Sequence, residues 1–123
     1  MDEILRYDPP LHLFTRYAQE DVVVQGVSLQ AGDRIALLLG AAGRDPARHD
    51  DPALFDPARP DPAHLAFGAG IHFCVGAPLA RLEITAALAV LFKRLPKLRM
   101  ITEPRYADRY HFHGHEALPV KWD

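Results

Sequence analysis

Residues 67–76 read Phe67-Gly-Ala-Gly-Ile-His-Phe-Cys-Val-Gly76 and lead directly into Ala77-Pro78. Glycines at this density let the backbone turn sharply and approach a ligand closely. Proline is favoured in the first turn of a helix, so a helix is predicted from about position 78 to position 95, where Pro96 ends it. The sequence therefore predicts a glycine-rich loop that carries Cys74 and is followed at once by a helix.

Cys74 is the only cysteine of the chain, which excludes an intramolecular disulfide. A dinucleotide-binding fingerprint would need glycine at position 73, which is Phe, and a nucleophile elbow would need glycine at position 72, which is His. Two interpretations stay open. Cys74 is either a buried structural thiol or, because a nearby helix N-terminus favours the thiolate, a ligand of iron.

An iron macrocycle would give the other residues of this loop a role. Gly68, Gly70 and Gly76 carry no Cβ that would clash with a flat ring. Phe67 would cover the edge of the ring, and His72 would donate a hydrogen bond to an acidic substituent.

The pattern Phe67-x-x-Gly70-x-His72-x-Cys74-x-Gly76 resembles the haem-binding loop of the cytochrome P-450 family, bacterial soluble type. Other motifs of that family occur on both sides of the cysteine loop, in the order in which the family has them. They are Glu3-x-x-Arg6, which resembles the paired Glu-Arg helix, Phe55-Asp-Pro-Ala-Arg59, which resembles the meander arginine, residues 77–83, which resemble the start of the proximal helix, and residues 117–123, which resemble the C-terminal ending. The resemblance covers essentially all 123 residues.

The resemblance implies a fold class of α+β and a single domain over residues 1–123, corresponding to the C-terminal part of the cytochrome P-450 fold. Its parts would be short hairpins, a proline-rich meander at 45–64, the cysteine loop and one buried proximal helix. Burial of that helix is also expected from the sequence, since it is apolar nearly all the way round after Glu83.

The resemblance also implies the roles of particular residues. Cys74 would be the axial metal ligand of haem b (iron protoporphyrin IX), and Arg16 and His72 would hold its propionates. Glu3, Arg6 and Arg59 would form one buried structural network. The candidate substrate pocket would include Leu11, His12, Phe14 and Phe112.

The implied function is haem-thiolate monooxygenation of a small organic substrate, with electrons from a ferredoxin-type donor. Nothing in the chain resembles the family's oxygen-activating residues, so we expect no catalytic residue here and no activity from the chain alone. The alternative is a truncated, non-catalytic haem-binding or vestigial structural module. In either case an N-terminal half or self-association is expected to cover exposed apolar surface.

Composition excludes several other classes of protein. Hydrophobic residues make up 49% of the chain and the net charge is −2, so nothing suggests binding to nucleic acid. The N-terminus carries no basic segment before an apolar run, as a secretory signal would, and no apolar run is long enough to span a membrane. The sequence predicts a cytoplasmic protein without a membrane partner.

The remaining pattern is the alternation of His111, His113 and His115. On an extended strand these imidazoles would share one face, where a nickel or zinc site is conceivable. An ordinary strand or turn is favoured, because the only acidic neighbour in sequence, Glu116, points the other way.

Overall fold

The structure, a computed structural model, describes residues 1–123 as short helices, two-stranded antiparallel sheets and long irregular segments. The helices are α1 (Asp2–Tyr7), α2 (Leu39–Ala42) and α3 (Ala77–Arg94), with a 3₁₀ turn at Gly70–His72. The strands are β1 (Leu13–Tyr17), β2 (Val22–Val24), β3 (Val27–Leu29), β4 (Arg34–Leu38), β5 (Arg99–Met100), β6 (Arg105–Tyr106), β7 (His115–Ala117) and β8 (Val120–Lys121). No helix has both the length and the apolar character needed to cross a membrane.

The N-terminal half contains two antiparallel strand pairs, and the β2–β3 hairpin is inserted between the two strands of the β1–β4 pair. β2 pairs with β3 through Gln25 and Gly26, which both have positive φ angles (50° and 82°), the turn that matches strand twist best. β1 pairs with β4 in the register Leu13↔Leu38 to Tyr17↔Arg34. The strand β4 passes directly into α2 at Leu39.

The buried core gathers around α1 and what lies against it. Only nine of 123 residues are buried, and α1 supplies Glu3, Leu5 and Arg6. A six-residue helix is unstable alone, and Pro9 and Pro10 prevent its extension. It is held instead by contacts of Arg6 and Tyr7 with the segment that follows α2.

The expectation that α3 is buried is wrong for this chain. Of its residues only Ala77 is buried, whereas Leu79, Leu82 and Phe92 are 58%, 67% and 60% exposed. An all-round apolar helix needs neighbours on every side to be buried, and no other helix or strand of these 123 residues packs extensively against it. The sequence shows that the helix is apolar, but it does not show whether another surface covers the helix.

The proline-rich segment between α2 and the 3₁₀ turn contains no regular helix or strand, as its repeated Asp-Pro pairs require. Side chains of α1 hold it in place. Arg6 Nη1 donates to the carbonyl oxygens of Gly43 at 2.7 Å and Pro52 at 2.9 Å, and Arg6 Nη2 donates to Leu54 O at 3.0 Å.

The same guanidinium is paired with a carboxylate on its own helix. Arg6 Nε donates to Glu3 Oε2 at 2.6 Å, and Arg6 Nη2 donates to Oε1 at 2.8 Å. Arg59 Nε lies 3.3 Å from Glu3 Oε2, and its Nη1 donates to Asp50 O at 2.7 Å. The structure thus brings Glu3, Arg6 and Arg59 together in one network that links α1 to Gly43 and to the middle of the meander, residues 50–56.

This network sets the ionisation of Glu3. The hydrogen bond from Arg6 is the main cause that lowers the pKa of Glu3 from 4.5 to about 2, assisted by the Asp56 N–H and Arg59. Burial alone would raise this pKa, so the paired donors outweigh desolvation.

We expect the stability of the fold to depend on pH through Glu3. Because the folded pKa lies below the unfolded one, ionised Glu3 stabilises the fold fully above pH 4.5, and this contribution is lost as pH falls from 4.5 through about 2. It amounts to about 3 kcal/mol. Urea unfolding of the wild type and Glu3→Gln across this range should show the difference between the two shrinking toward low pH; a constant difference would contradict the assignment.

A double-mutant cycle tests whether the network acts as a unit. Arg6→Ala should cost about 3–5 kcal/mol, because Glu3 is left buried without its main partner. Arg59→Ala should cost less, since its side chain is partly exposed and 3.3 Å from the carboxylate. We expect a coupling of about 0.5–3 kcal/mol between the two changes. Arg48→Ala, which removes an exposed pair with Asp61, is the matched control and should cost less than about 1 kcal/mol.

Candidate cofactor site

The loop before α3 is shaped by two glycines and three backbone hydrogen bonds. Gly68 and Gly70 have φ angles of +72° and +63°, which disfavour residues with a Cβ. Phe73 N donates to Gly70 O at 3.0 Å, Cys74 N to Phe67 O at 2.9 Å, and Ala77 N to Cys74 O at 3.1 Å. The loop is therefore a defined turn that positions Cys74 at the entrance of the helix.

The thiol of Cys74 is free and exposed. This exposure contradicts the interpretation of Cys74 as a buried structural cysteine. A Cβ placed on Gly76 would lie 3.8 Å from Cys74 Sγ, so the residue before the helix leaves the sulfur uncrowded.

A cavity of about 680 Å³ opens beside this loop, a volume in the range of about 300–1,000 Å³ that small-molecule sites occupy. The wall combines the cysteine loop with α1, β1 and β4. It is lined by Leu5, Pro10, Leu11, Phe14, Arg16, Leu37, Leu39, Leu65, Ala66, Phe67, Gly68, Ala69, His72 and Cys74.

Most of the residues predicted to contact cofactor or substrate meet in this cavity. Cys74, His72 and Phe67 reach it from the loop, and Arg16 and Phe14 reach it from β1. The guanidinium of Arg16 makes one hydrogen bond in the protein, from Nη1 to Thr15 O at 2.9 Å, so its other donors are available. Gly68 and Leu11 also line the wall, whereas Gly70 and Gly76 lie in the loop outside it.

Two residues of the candidate substrate pocket do not line the cavity. Phe112 forms an isolated bridge with Leu11 and is 60% exposed, and the ring of His12 stacks on His113 at 4.0 Å. Leu11 and Phe14 thus face the cavity and His12 and Phe112 do not. His12 precedes β1, which begins at Leu13, so the alternation of the strand does not place its side chain, and its ring lies against His113 instead.

Sequence reasoning missed the walls supplied by α1 and β4. Leu37 lies directly opposite Phe14 in the β1–β4 register, and cross-strand neighbours share a face of the sheet. The available signal was the run of leucines at 37–39, which could be placed only after its pairing with β1 was known. Leu5 and Leu65 come from elements whose packing no local pattern specifies.

The chemistry of the lining fits haem. The cavity offers one thiol, two side chains that can donate to carboxylates, and walls that are otherwise largely apolar. Space is open around Gly70, where an added Cβ would meet no atom within 4 Å. Cysteine sulfur is an axial ligand of haem iron, and arginine is suited to planar carboxylates.

Comparison with known proteins identifies the family. The family model for cytochrome P450 matches residues 1–104, and the chain belongs to the cytochrome P450 family. It is 41% identical to the biotin biosynthesis cytochrome P450 of Bacillus subtilis (strain 168), over 100% of this chain and 31% of that protein. It is 46% identical to the 6-deoxyerythronolide B hydroxylase of Saccharopolyspora erythraea, again over 100% of this chain and 31% of that protein.

Solved structures give the same answer for the fold. The crystal structure of P450BioI in complex with an acyl carrier protein ligated to hexadec-9Z-enoic acid superposes with a TM-score of 0.95 at 42% identity, covering 99% of this chain and 32% of that one. Ligand-free CYP164A2 of Mycobacterium smegmatis gives a TM-score of 0.93 at 45% identity, covering 97% and 30%. The family resemblance is confirmed, as is a mixed helix-and-strand fragment of this fold. The chain spans about a third of the length of these relatives.

Proposed function

We propose that this chain is the haem-binding part of a cytochrome P450 monooxygenase, with Cys74 as the thiolate ligand of haem b. The observation that carries the proposal is the meeting of Cys74, Arg16 and His72 in one apolar cavity. A bound haem with a thiolate ligand supplies dioxygen activation, because the thiolate donates electron density that favours O–O cleavage.

The residues of the loop and β1 would bind and orient the cofactor. α3 begins three residues after Cys74, so the loop and the start of the helix would fix the position of the sulfur. Arg16 and His72 would donate hydrogen bonds to the two propionates. Phe67 would cover the ring, while Gly68, Gly70 and Gly76 keep side chains away from it.

The Glu3–Arg6–Arg59 network supports this site from behind. Arg6 and Arg59 fix the meander by its carbonyl groups, and the meander leads directly into the cavity wall at Leu65 and Phe67. The network therefore holds the wall in position without contacting the cofactor.

The substrate would be a small organic molecule, in keeping with relatives named as hydroxylases. Leu11 and Phe14 are the apolar side chains of the candidate pocket that face the cavity, and we assign substrate contact to them. Electrons would come from a separate ferredoxin-type protein.

A specific observation favours the alternative, a haem-binding module that is inactive by itself. The cavity lining contains no Asp, Glu, Ser or Thr, and its one imidazole, His72, is assigned to a propionate, so no carboxyl or hydroxyl side chain there is available for a proton path. The apolar residues of α3 also stay exposed. Catalysis would therefore require a second polypeptide segment that covers the cavity and supplies the proton path.

Replacing the proposed ligand tests the proposal directly. The chain loaded with haem, reduced and exposed to carbon monoxide should show the absorption of a thiolate-ligated haem. Cys74→Ala should lose that absorption, because no other thiol is available. Val75→Ala, a neighbour that is 98% exposed and lies outside the cavity, is the matched control and should retain it. An unchanged spectrum in Cys74→Ala would refute the assignment.

Arg16→Ala tests the propionate contact. A hydrogen bond to a charged group is worth about 1.5–3 kcal/mol, so haem should bind about 10- to 150-fold more weakly while the thiolate spectrum is kept. Arg34→Ala is the control, since Arg34 lies on the paired strand β4 and does not line the cavity. Equal haem affinity in Arg16→Ala and wild type, measured by transfer of haem to apomyoglobin, would refute this role.

Activity should separate the two candidate functions. We expect residues 1–123, loaded with haem and given peroxide or a ferredoxin system, to hydroxylate a substrate panel no faster than free haem. Water exclusion and proton delivery both need groups the cavity lining lacks. Coupled hydroxylation by a demonstrated monomer of this chain would show that the module is an enzyme by itself.

A further inference from the structure

A cluster of two imidazoles and one carboxylate lies outside the cavity, where α1 ends. The Nε2 atoms of His12 and His113 lie 3.4 Å and 3.1 Å from Asp8 Oδ1. One donor atom from each of the three residues falls within 4.8 Å of the others. None of the three lines the cofactor cavity, so this cluster is a separate feature of the molecule.

Backbone pairing between the two ends of the chain builds the cluster. Leu11 and Phe112 form an antiparallel bridge, and His113 N donates to Pro10 O at 2.8 Å. These contacts set His113 beside His12, with their rings stacked at 4.0 Å. Of the three alternating histidines at 111–115, His113 therefore does have an acidic partner, Asp8, which is remote in sequence.

The neighbours of the cluster hold its members in position. Tyr106 Oη donates to Asp8 Oδ2 at 2.7 Å, which leaves Oδ1 directed at the histidines. The Tyr106 ring also stacks on His113 at 4.0 Å. On the other side, the ring of His12 packs so closely on Gly40 that a Cβ there would lie 3.2 Å from His12 Cγ.

One polar atom of the cluster has no partner. His12 Nε2 is shielded from solvent and makes no hydrogen bond, although Asp8 Oδ1 is close to it. Shielded nitrogen atoms are normally paired. Coordination of a cation by the same nitrogen would remove this defect.

We propose that Asp8, His12 and His113 bind a divalent transition-metal ion such as Zn²⁺. Two imidazole nitrogens and one carboxylate oxygen are ligands that suit zinc, with a fourth position left for water. The side chains are 31–38% exposed, so an ion can enter from solvent. Small rotations of the two rings would bring their nitrogens around one ion. Tyr106 orients the carboxylate from behind, as outer hydrogen bonds commonly do at metal sites.

The consequence for the protein is a link between the C-terminal segment and the end of α1. The three ligands come from residues 8–12 and from residue 113, which otherwise meet through a few backbone contacts and through the side-chain contacts of His113 with His12 and Asp8. An ion that binds only the folded arrangement raises the stability of that arrangement. The site would thus fasten the tail beside β1 independently of haem.

Zinc titration of the full chain tests the proposal. Cys74→Ser serves as the background, because a free thiol can bind zinc by itself. Isothermal titration should give one site per chain. His12→Ala and His113→Ala should each weaken binding by more than about 100-fold, and Tyr106→Phe, which keeps the ring and removes the hydroxyl, by about 10-fold. His111→Ala, a neighbouring histidine outside the cluster, is the matched control and should bind as the background does.

A second measurement keeps all three proposed zinc ligands, so that a misfolded variant cannot be mistaken for loss of the site. In the Cys74→Ser background, zinc should shift the ring proton resonances of His12 and His113 in the NMR spectrum and leave those of His111 and His115 unchanged. Absence of a one-to-one zinc site would overturn the proposal. So would shifts confined to other histidines, or equal loss of affinity in His111→Ala and His12→Ala.

Discussion

The buried guanidinium of Arg6 is the constraint on which the rest of the structure depends. Its side chain is fully buried, and five hydrogen bonds use its five N–H donors: two to Glu3 and one each to the carbonyls of Gly43, Pro52 and Leu54. A buried charge is tolerated only when it is paired and its donors are satisfied. Those carbonyl groups must therefore stay where they are. Gly43 shows how tight the arrangement is, since a Cβ there would overlap the Arg6 carbonyl oxygen.

This constraint gives shape to a segment that has no other source of order. Prolines in the meander prevent a helix or a ladder of strand hydrogen bonds, so its carbonyls are free to accept from side chains. Arg59 adds bonds to Asp50, Asp51 and Leu54. Hydrogen bonds from two guanidinium groups, in place of a sheet, thus fix the chain between α2 and the cysteine loop. They also help to position the cavity wall at Leu65 and Phe67, which follows this segment.

Local sequence patterns predicted the helices, strands and turns better than they predicted which elements pack against one another. Pro78 and Pro96 bracket α3, and Gln25-Gly26 marks the turn between β2 and β3, because these signals act within a few residues. The exposure of α3 could not be predicted from its own residues, because burial of a helix depends on whether another surface packs against it. The pairing of His12 with His113 could not be predicted either, because it depends on a bridge between residues near opposite ends of the chain. The cavity walls at Leu5 and Leu37 were missed for the same reason.

The side chains that line the cavity suit binding of a cofactor better than they suit catalysis with it. On the proposed assignment, the groups that hold haem need only one thiol, two donors and apolar walls, and a third of the family's length supplies all of them. Turnover would also need a proton path and a cover that excludes water, and the lining contains no carboxyl or hydroxyl side chain for such a path. The exposed apolar surface of α3 reinforces this division, because a helix of that composition is stable in water only when another surface covers it. On the proposed assignment, haem binding would rest on residues of this chain, whereas turnover would need further groups that cover the cavity.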